Sequence, residues 1–295
     1  MKNSKGIILA GGKGTRLHPL TKAYSKHLLP IYDKPMIFYS LAILMKFGLR
    51  EIAIITTSED KKNYSRLFGD GSKYGLDISY FIQNQPKGIA EAFIICEEFI
   101  DEDNVFLILG DNVFLDFDNS LSQTFKHSKY YRGASIFLKK VNNPNSFGVA
   151  KFDKKGNVLE IIEKPSRAPS KMAVTGLYSY DEHVSEYAKS LKPSARGELE
   201  ITDINNIYLD KGQLNSLNVN EKIEWFDAGT FDNLLLASKK VQKYQNQNKK
   251  IFSSIEIIGF ENGWIDLNQL KVLSYEQNSS YGKAITEYID QSCEN

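Results

Sequence analysis

The chain is poor in the residues that staple or metallate small folds. Its 295 residues hold two cysteines, Cys96 and Cys293, far apart in sequence. Two cannot build a disulfide framework, and their scarcity fits a reducing compartment. Cys96 falls in an apolar helical stretch, where a core side chain is expected rather than a thiol catalyst. Four histidines with no close His/Cys cluster argue against a structural zinc site. No apolar run nears the roughly 18 residues of a membrane helix. A strand-like run begins almost at the N-terminus, so no signal peptide is expected. An excess of one charge is lacking too, because 37 cations face 36 anions. That balance gives no reason to expect nucleic acid or a membrane as partner. Repeats and low-complexity segments are absent. A cytoplasmic protein is expected.

Hydrophobic residues make up 42% of the chain, enough for a sizeable core. The length suits one large α/β domain, or one domain with an appendage. Strand-like runs at Gly6–Ala10, Glu51–Thr57, Leu76–Gln83 and Val105–Asp111 alternate with helical patterns at Pro35–Phe47, Glu59–Phe68, Gly88–Phe99 and Leu121–Lys129. This alternation predicts a Rossmann-like, mostly parallel sheet with helices on both faces. After Gly133, strands at Ala134–Val141, Phe147–Asp153, Val158–Glu163 and Val174–Tyr180 crowd together, which predicts a mixed-sheet part for a second substrate. Helices follow at Glu182–Leu191, Glu200–Asp210 and Phe231–Gln247. The polar stretch Gln245–Lys250 is expected to link the core to a C-terminal appendage. The expected division is a main domain over 1–248, with a first half at about 1–133 and the mixed-sheet part at about 134–230. The helical appendage spans 249–295 and is expected to serve contact or regulation.

The densest signal lies between Lys5 and Pro30. A buried-looking strand runs into Gly11, Gly12 and Gly14, followed by Thr15, Arg16 and Lys26. Glycines let backbone N–H groups turn toward a ligand where a Cβ would clash. A concave row of N–H groups cradles an anion, and a nearby arginine and lysine suit a polyphosphate. The plain alternative is a glycine-rich turn with two solvated cations. A dinucleotide fingerprint is excluded because Leu17 stands where its third glycine belongs. A Walker A loop is excluded because Gly14 follows Lys13.

Two further motifs end strands, and ligands of open α/β sheets bind at the carboxyl ends of strands. Leu107-Ile108-Leu109-Gly110-Asp111-Asn112 delivers a carboxylate to that edge. Mg²⁺ takes one or two carboxylates plus phosphate oxygens, so Asp111 is a candidate ligand, with Asn112 free to bond a sugar hydroxyl. Trp225-Phe226-Asp227-Ala228-Gly229-Thr230 supplies a second carboxylate before a helix. A strand-end turn and a helix cap are the structural alternatives for the two aspartates. Two carboxylates on one metal would offset the repulsion between two phosphorylated substrates.

Gly11-Gly12-Lys13-Gly14-Thr15-Arg16-Leu17-His18-Pro19-Leu20-Thr21 and Lys26-His27-Leu28-Leu29-Pro30 resemble the signature of the sugar nucleotidyltransferases, in their bacterial thymidylyltransferase branch. The resemblance extends through Tyr32-Asp33-Lys34-Pro35-Met36, Glu163-Lys164-Pro165, Ala173–Tyr178 and Arg196–Asp203. It implies Mg²⁺-dependent transfer of dTMP from dTTP to glucose 1-phosphate, giving dTDP-glucose and pyrophosphate, in a homotetramer. It implies that Leu9, Gly11, Gly12, Gly14 and Thr15 line the nucleotide, and that Gln83 and Gly88 meet the base. Arg16 and Lys26 would bind phosphates at the reacting centre, where Asp111 joins them as a catalytic residue, and Asp111 and Asp227 would hold Mg²⁺. Asn112, Gly148, Glu163, Lys164, Val174, Arg196 and Trp225 would surround the sugar phosphate. Taken alone, Glu163-Lys164 could equally be a solvated pair.

The chain also departs from that pattern. Pro86-Lys87-Gly88-Ile89-Ala90-Glu91-Ala92 replaces a usual Pro-Asp-Gly-Leu-Ala-Gln-Ala, and Phe147-Gly148 replaces Tyr-Gly. Uridylyl or cytidylyl transfer, or a non-catalytic sensor, stays open. The family's second, regulatory nucleotide site is expected to be weakened, because Asp116 and Glu261 add carboxylates where others carry none.

Overall fold

A computed structural model describes residues 3–129 and 132–293. The chain runs β1 (Ser4–Leu9), a hairpin of β2 (Pro30–Ile31) and β3 (Lys34–Pro35), α1 (Ile37–Lys46), β4 (Glu51–Thr56), α2 (Lys61–Phe68) and β5 (Asp77–Ile82). Next come α3 (Glu91–Ile95), α4 (Glu97–Ile100), β6 (Asn104–Leu109), β7 (Asn112–Leu115) and α5 (Ser120–Lys129). The second half adds β8 (Ala134–Lys140), β9 (Gly148–Phe152), β10 (Val158–Glu163), β11 (Met172–Tyr180), α6 (Val184–Ser190), α7 (Ile201–Asp210), β12 (Leu214–Asn218) and β13 (Glu224–Asp227). Four helices close the chain: α8 (Phe231–Asn248), α9 (Ile255–Glu261), α10 (Leu267–Glu276) and α11 (Ser280–Cys293).

The main sheet follows the order β10-β9-β11-β6-β1-β4-β5, with β8 on β11 and β12 on β8. Strands β6, β1, β4 and β5 are parallel. Strand β11 joins β6 antiparallel and carries the mixed part. Side chains alternate between the faces with period two. Ile8, Ile52, Ile54, Phe106 and Ile108 enter one core with α1 and the C-terminal helices. Ile7, Ala53, Ile55, Val105 and Leu107 enter the other, under α3, α6 and α7. Burying each isoleucine contributes about 1.5–3 kcal/mol. Burial on both faces explains why these strands read as unbroken apolar runs.

The expected helix over Gly88–Phe99 is broken. Leu199 donates its N–H to the Lys87 carbonyl (2.6 Å), and Ala90 donates to the Leu199 carbonyl (3.2 Å). Gly88, at positive φ, and Ile89 are thus held outside any helix, and the chain re-forms as α3 and α4 on either side of Cys96. Strands β7 and β12 were not expected, whereas β13 ends at Asp227 as the Trp225-Phe226-Asp227 motif predicts. They are short, and Leu214-Asn215-Ser216-Leu217-Asn218 has no β-branched residue to announce it.

Gln245 lies within α8 and does not begin a free linker. Its amide nitrogen donates to Asp33 (2.9 Å), and its oxygen accepts the Phe252 N–H (2.9 Å). Asp33 in turn accepts from Lys34 (2.5 Å). The Lys34 ammonium is buried between the rings of Tyr39 (5.1 Å) and Tyr281 (5.4 Å). Tyr281 donates to the fully buried Glu256 (2.7 Å). Burial presses the Lys34 ammonium below the ordinary lysine pKa, against the pull of Asp33 and Glu256. This box ties the hairpin after Lys26 to α9 and α11.

Asp116 corrects the expected acidic regulatory site. Its carboxylate accepts the Leu121 N–H (3.2 Å) and the Ser120 hydroxyl (3.4 Å), so it caps α5. The 590 Å³ cavity that it and Glu261 border is also lined by Lys46, Lys249 and Lys250. Its lining is therefore not predominantly acidic.

Lys34→Met removes the cation between half-buried Asp33 and buried Glu256, and a buried charge that loses its partner costs about 3 kcal/mol or more. Urea unfolding should show a loss of that size. A loss under about 1 kcal/mol would mean that the box contributes little.

Candidate active site

Parallel strands set the site by ending at one edge. Beyond β1, Ala10 donates to the Ile55 carbonyl (2.8 Å), and Gly110 donates to the Leu9 carbonyl (3.0 Å). Beyond β5, Gln83 donates its N–H to the Thr56 carbonyl (2.8 Å). The glycine loop, Gln83 and Asp111 therefore share one rim, as expected of strand ends. Gly12 and Gly14 adopt positive φ in the loop. Thr15 and Arg16 begin a short 3₁₀ turn, and Lys26 begins another.

Short strands β7 and β13 bring the carboxylates together. They pair antiparallel with Asp227 opposite Asn112, the neighbour of Asp111. Ala228 also donates to the Asp111 carbonyl (2.9 Å). Each carboxylate has its own cation. Lys26 bonds Asp111, and Arg16 reaches Asp227 (3.3 Å). Burial alone would raise the Asp111 pKa. The Lys26 charge and the amide of Asn112 outweigh it and hold the group below the carboxylate range. Asp227 shifts upward, first through burial and then through the charge of Asp111. Two carboxylates that oppose each other's ionisation suit a hard divalent cation with oxygen ligands. Neighbouring His27 is buried and neutral, its pKa lowered to about 3 by burial and by Lys26.

A cavity of about 550 Å³ opens beside the carboxylates. Asn112, Gly148, Glu163, Lys164, Val174 and Trp225 all line it, as do Arg16, Asp111 and Asp227. Asn112 is held in detail. Its oxygen accepts from the Trp225 indole (2.7 Å) and the Gly176 N–H (2.9 Å), and its nitrogen donates to Asp111 (3.0 Å). One amide hydrogen is left for a ligand. Glu163 accepts from Thr202 (2.6 Å) and Arg196 (3.3 Å). Lys164 has φ of 40°, a strained value for a residue with a Cβ, at the cavity wall. Arg196 stands behind the wall and does not line the cavity. It reaches Glu200 (2.7 Å) as well as Glu163. Of the nucleotide set, Arg16 alone borders this cavity. Leu9, Gly11, Gly12, Gly14, Thr15, Lys26, Gln83 and Gly88 lie outside its lining.

A family model of nucleotidyl transferases matches residues 5–244. This chain belongs to the nucleotidyl transferase family. A glucose-1-phosphate thymidylyltransferase of Neisseria meningitidis is 49% identical, with 97% of this chain and 99% of the relative covered. The enzyme of that name from Mycobacterium tuberculosis is 43% identical, over 98% and 100%. A solved UDP-glucose pyrophosphorylase with UDP-glucose bound superposes with a TM-score of 0.73 at 25% identity, over 83% and 100%.

Several residues around this transferase's cavity carried no separate signal in the sequence. Thr202 grips Glu163 from the first turn of α7, and a lone threonine after Glu-Ile announces nothing. Tyr178 and Ile201 also line the cavity, yet they read as ordinary core residues. Gly176 lay inside a quoted motif without a role. It sits where the pairing of β11 with β8 shifts register, between Val174 and Tyr178. A Cβ there would stand 2.6 Å from the Asn112 amide.

Gly176→Ala should therefore push Asn112 off the Trp225 indole and cost about 1–3 kcal/mol. The chain has two tryptophans, Trp225 and Trp264. In a Trp264→Phe background the Trp225 emission should shift. An unchanged spectrum and melting curve would show that the strand absorbs the methyl.

Proposed function

We propose that the chain is a glucose-1-phosphate thymidylyltransferase. It joins dTTP and α-D-glucose 1-phosphate into dTDP-glucose and releases pyrophosphate. The observation that carries this reading is the pair Asp111 and Asp227, each with its own cation, at the mouth of a sugar-sized cavity. Full-length relatives of that name support it. The glycine loop with Leu9, Thr15, Gln83 and Gly88 would take the nucleotide. The lining residues, with Arg196 behind them, would take the sugar phosphate. Asp111 and Asp227 would hold Mg²⁺, which supplies charge neutralisation between the two phosphorylated substrates. Residues 1–248 would carry the chemistry, and 249–295 would serve contact and regulation in a homotetramer. Phosphorylated metabolites as substrates put the enzyme in the cytoplasm. Among the described residues, no helix is long and apolar enough to cross a membrane.

In the reaction, a phosphate oxygen of the sugar attacks the α-phosphorus of dTTP. The bond from the α-phosphorus to the bridging oxygen breaks, and its electron pair leaves with pyrophosphate. A phosphate monoester needs no base to become nucleophilic at neutral pH. The side chains therefore position anions and balance their charge. Arg16, more than half exposed, can swing from Asp227 to the leaving pyrophosphate. Lys26 can turn from Asp111 to the phosphates at the reacting centre. Glu163 and the free amide hydrogen of Asn112 orient the sugar hydroxyls. Uridylyl transfer is the second reading, favoured by the likeness to the UDP-glucose enzyme. Pyrophosphate release across four nucleotides and several sugar 1-phosphates decides between them.

Asp111→Asn and Asp227→Asn should each lower turnover at least a hundredfold, on the order of 3 kcal/mol. Chelation should abolish activity, and added Mg²⁺ should restore it. Turnover within about threefold of the parent in both variants would remove the metal assignment.

Arg16→Ala and Lys26→Ala should depress kcat more than they raise KM for dTTP, because their charges matter most as the transition state forms. A raised KM at constant kcat would make them simple binding residues.

A further inference from the structure

The base end of the site holds a polar arrangement that the chemistry above does not use. Gln83 is buried just beyond β5. Its amide nitrogen donates to the Glu91 carboxylate at 2.8 Å and faces the Gly88 carbonyl at 3.5 Å. Its amide oxygen points the other way. It lies 2.8 Å from where a Cβ on Gly11 would stand, over the backbone of the glycine loop.

An amide can be turned end for end at little cost unless its neighbours distinguish the ends. Here they do. A carboxylate only accepts hydrogen bonds, and so does a backbone carbonyl. Turning Gln83 over would set its oxygen against two oxygens and leave them without a donor. A glutamine at position 91 could donate or accept, and would satisfy either orientation. Glu91 itself is fixed, because it opens α3 directly after the segment clamped by Leu199. Gly88 could not be replaced in that clamp, since a Cβ would stand 2.3 Å from the Leu199 carbonyl.

We propose that Glu91 is a positioning residue that locks the Gln83 amide with its oxygen toward the nucleotide loop, so that the site selects pyrimidines carrying a ring N–H, thymine or uracil, and turns cytosine away. The proposal rests on the reading of Gln83 as the residue that meets the base. Thymine and uracil present an N3–H donor to that oxygen. Cytosine presents a lone pair at N3, and brings its amino group to the oxygen only by sliding along its edge. With its nitrogen engaged, Gln83 cannot turn to donate to that lone pair.

The test compares dTTP, dUTP and dCTP at fixed glucose 1-phosphate in the parent, Glu91→Gln, Glu91→Ala and Gln83→Ala. Losing one selective hydrogen bond changes relative affinity roughly five- to tenfold. Glu91→Gln should lower the dTTP-to-dCTP ratio of kcat/KM by that factor. The change should come through the KM for dCTP, with kcat for dTTP within about twofold of the parent. Glu91→Ala should lower the ratio similarly, and dUTP should track dTTP in every variant. If both Glu91 variants keep the parent ratio while Gln83→Ala collapses it, Gln83 reads the base unaided and the proposal falls. If Gln83→Ala also keeps the ratio, the base is read elsewhere, and the underlying assignment falls with it. A parent enzyme that uses dCTP as well as dTTP would overturn the proposal directly.

Discussion

Everything at the strand-end rim of this molecule depends on holding two carboxylates close together in a partly buried setting. The β7–β13 ladder fixes Asp227 opposite Asn112 and so beside Asp111. Burial and, after it, the like charge of Asp111 both push the Asp227 pKa upward. Lys26 and Arg16 offset the repulsion. Both cations come from the N-terminal segment, so the residues that follow the glycine loop also neutralise the two carboxylates. The site is thus nearly charge-balanced without substrate. In the proposed reaction the cations would pass to the phosphates and the carboxylates to the metal as nucleotide and metal arrive together. Little net charge has to be buried at any stage, which matters where an unpaired buried charge costs several kcal/mol.

Much of this was legible in the sequence because the strongest cues are local. The glycine loop, the apolar strand ending at Asp111 and the alternation of strands and helices are each contained in a few consecutive residues. The convergence of Asp111 and Asp227 is different. It depends on two four-residue strands more than a hundred positions apart, whose pairing has no local signature. The same holds for Thr202 against Glu163 and for Glu91 against Gln83. The broken helix after Gly88 has a similar cause, because backbone bonds to Leu199 override a good helical pattern. Asp116 misled because a buried helix cap and an exposed surface carboxylate look alike in sequence.

The mixed part of the sheet is built around one crowded crossing. Asn112, Gly176 and Trp225 come from β7, β11 and β13, and the Asn112 amide joins all three. Phe147 packs on Trp225 with ring centroids 4.9 Å apart, and both line the cavity, so its wall is braced by aromatic contact. A wall braced this way has few rotamers to lose when a ligand binds, which is what preorganisation requires. The strained backbone of Lys164 sits on that wall and is held by its N–H bond to the Phe147 carbonyl (3.0 Å).

The box around Lys34 has a consequence for how the protein is made. Lys34 leaves the ribosome well before Glu256 and Tyr281, which lie far downstream of it. Domains usually fold from the N-terminus as synthesis proceeds. Here the Lys34 hairpin must keep its ammonium hydrated until α9 and α11 are released. Prematurely terminated chains would therefore lack a seated hairpin, whatever their sheet had already formed. Docking of α9 and α11, rather than closure of the sheet, is the event that seats the Lys34 hairpin.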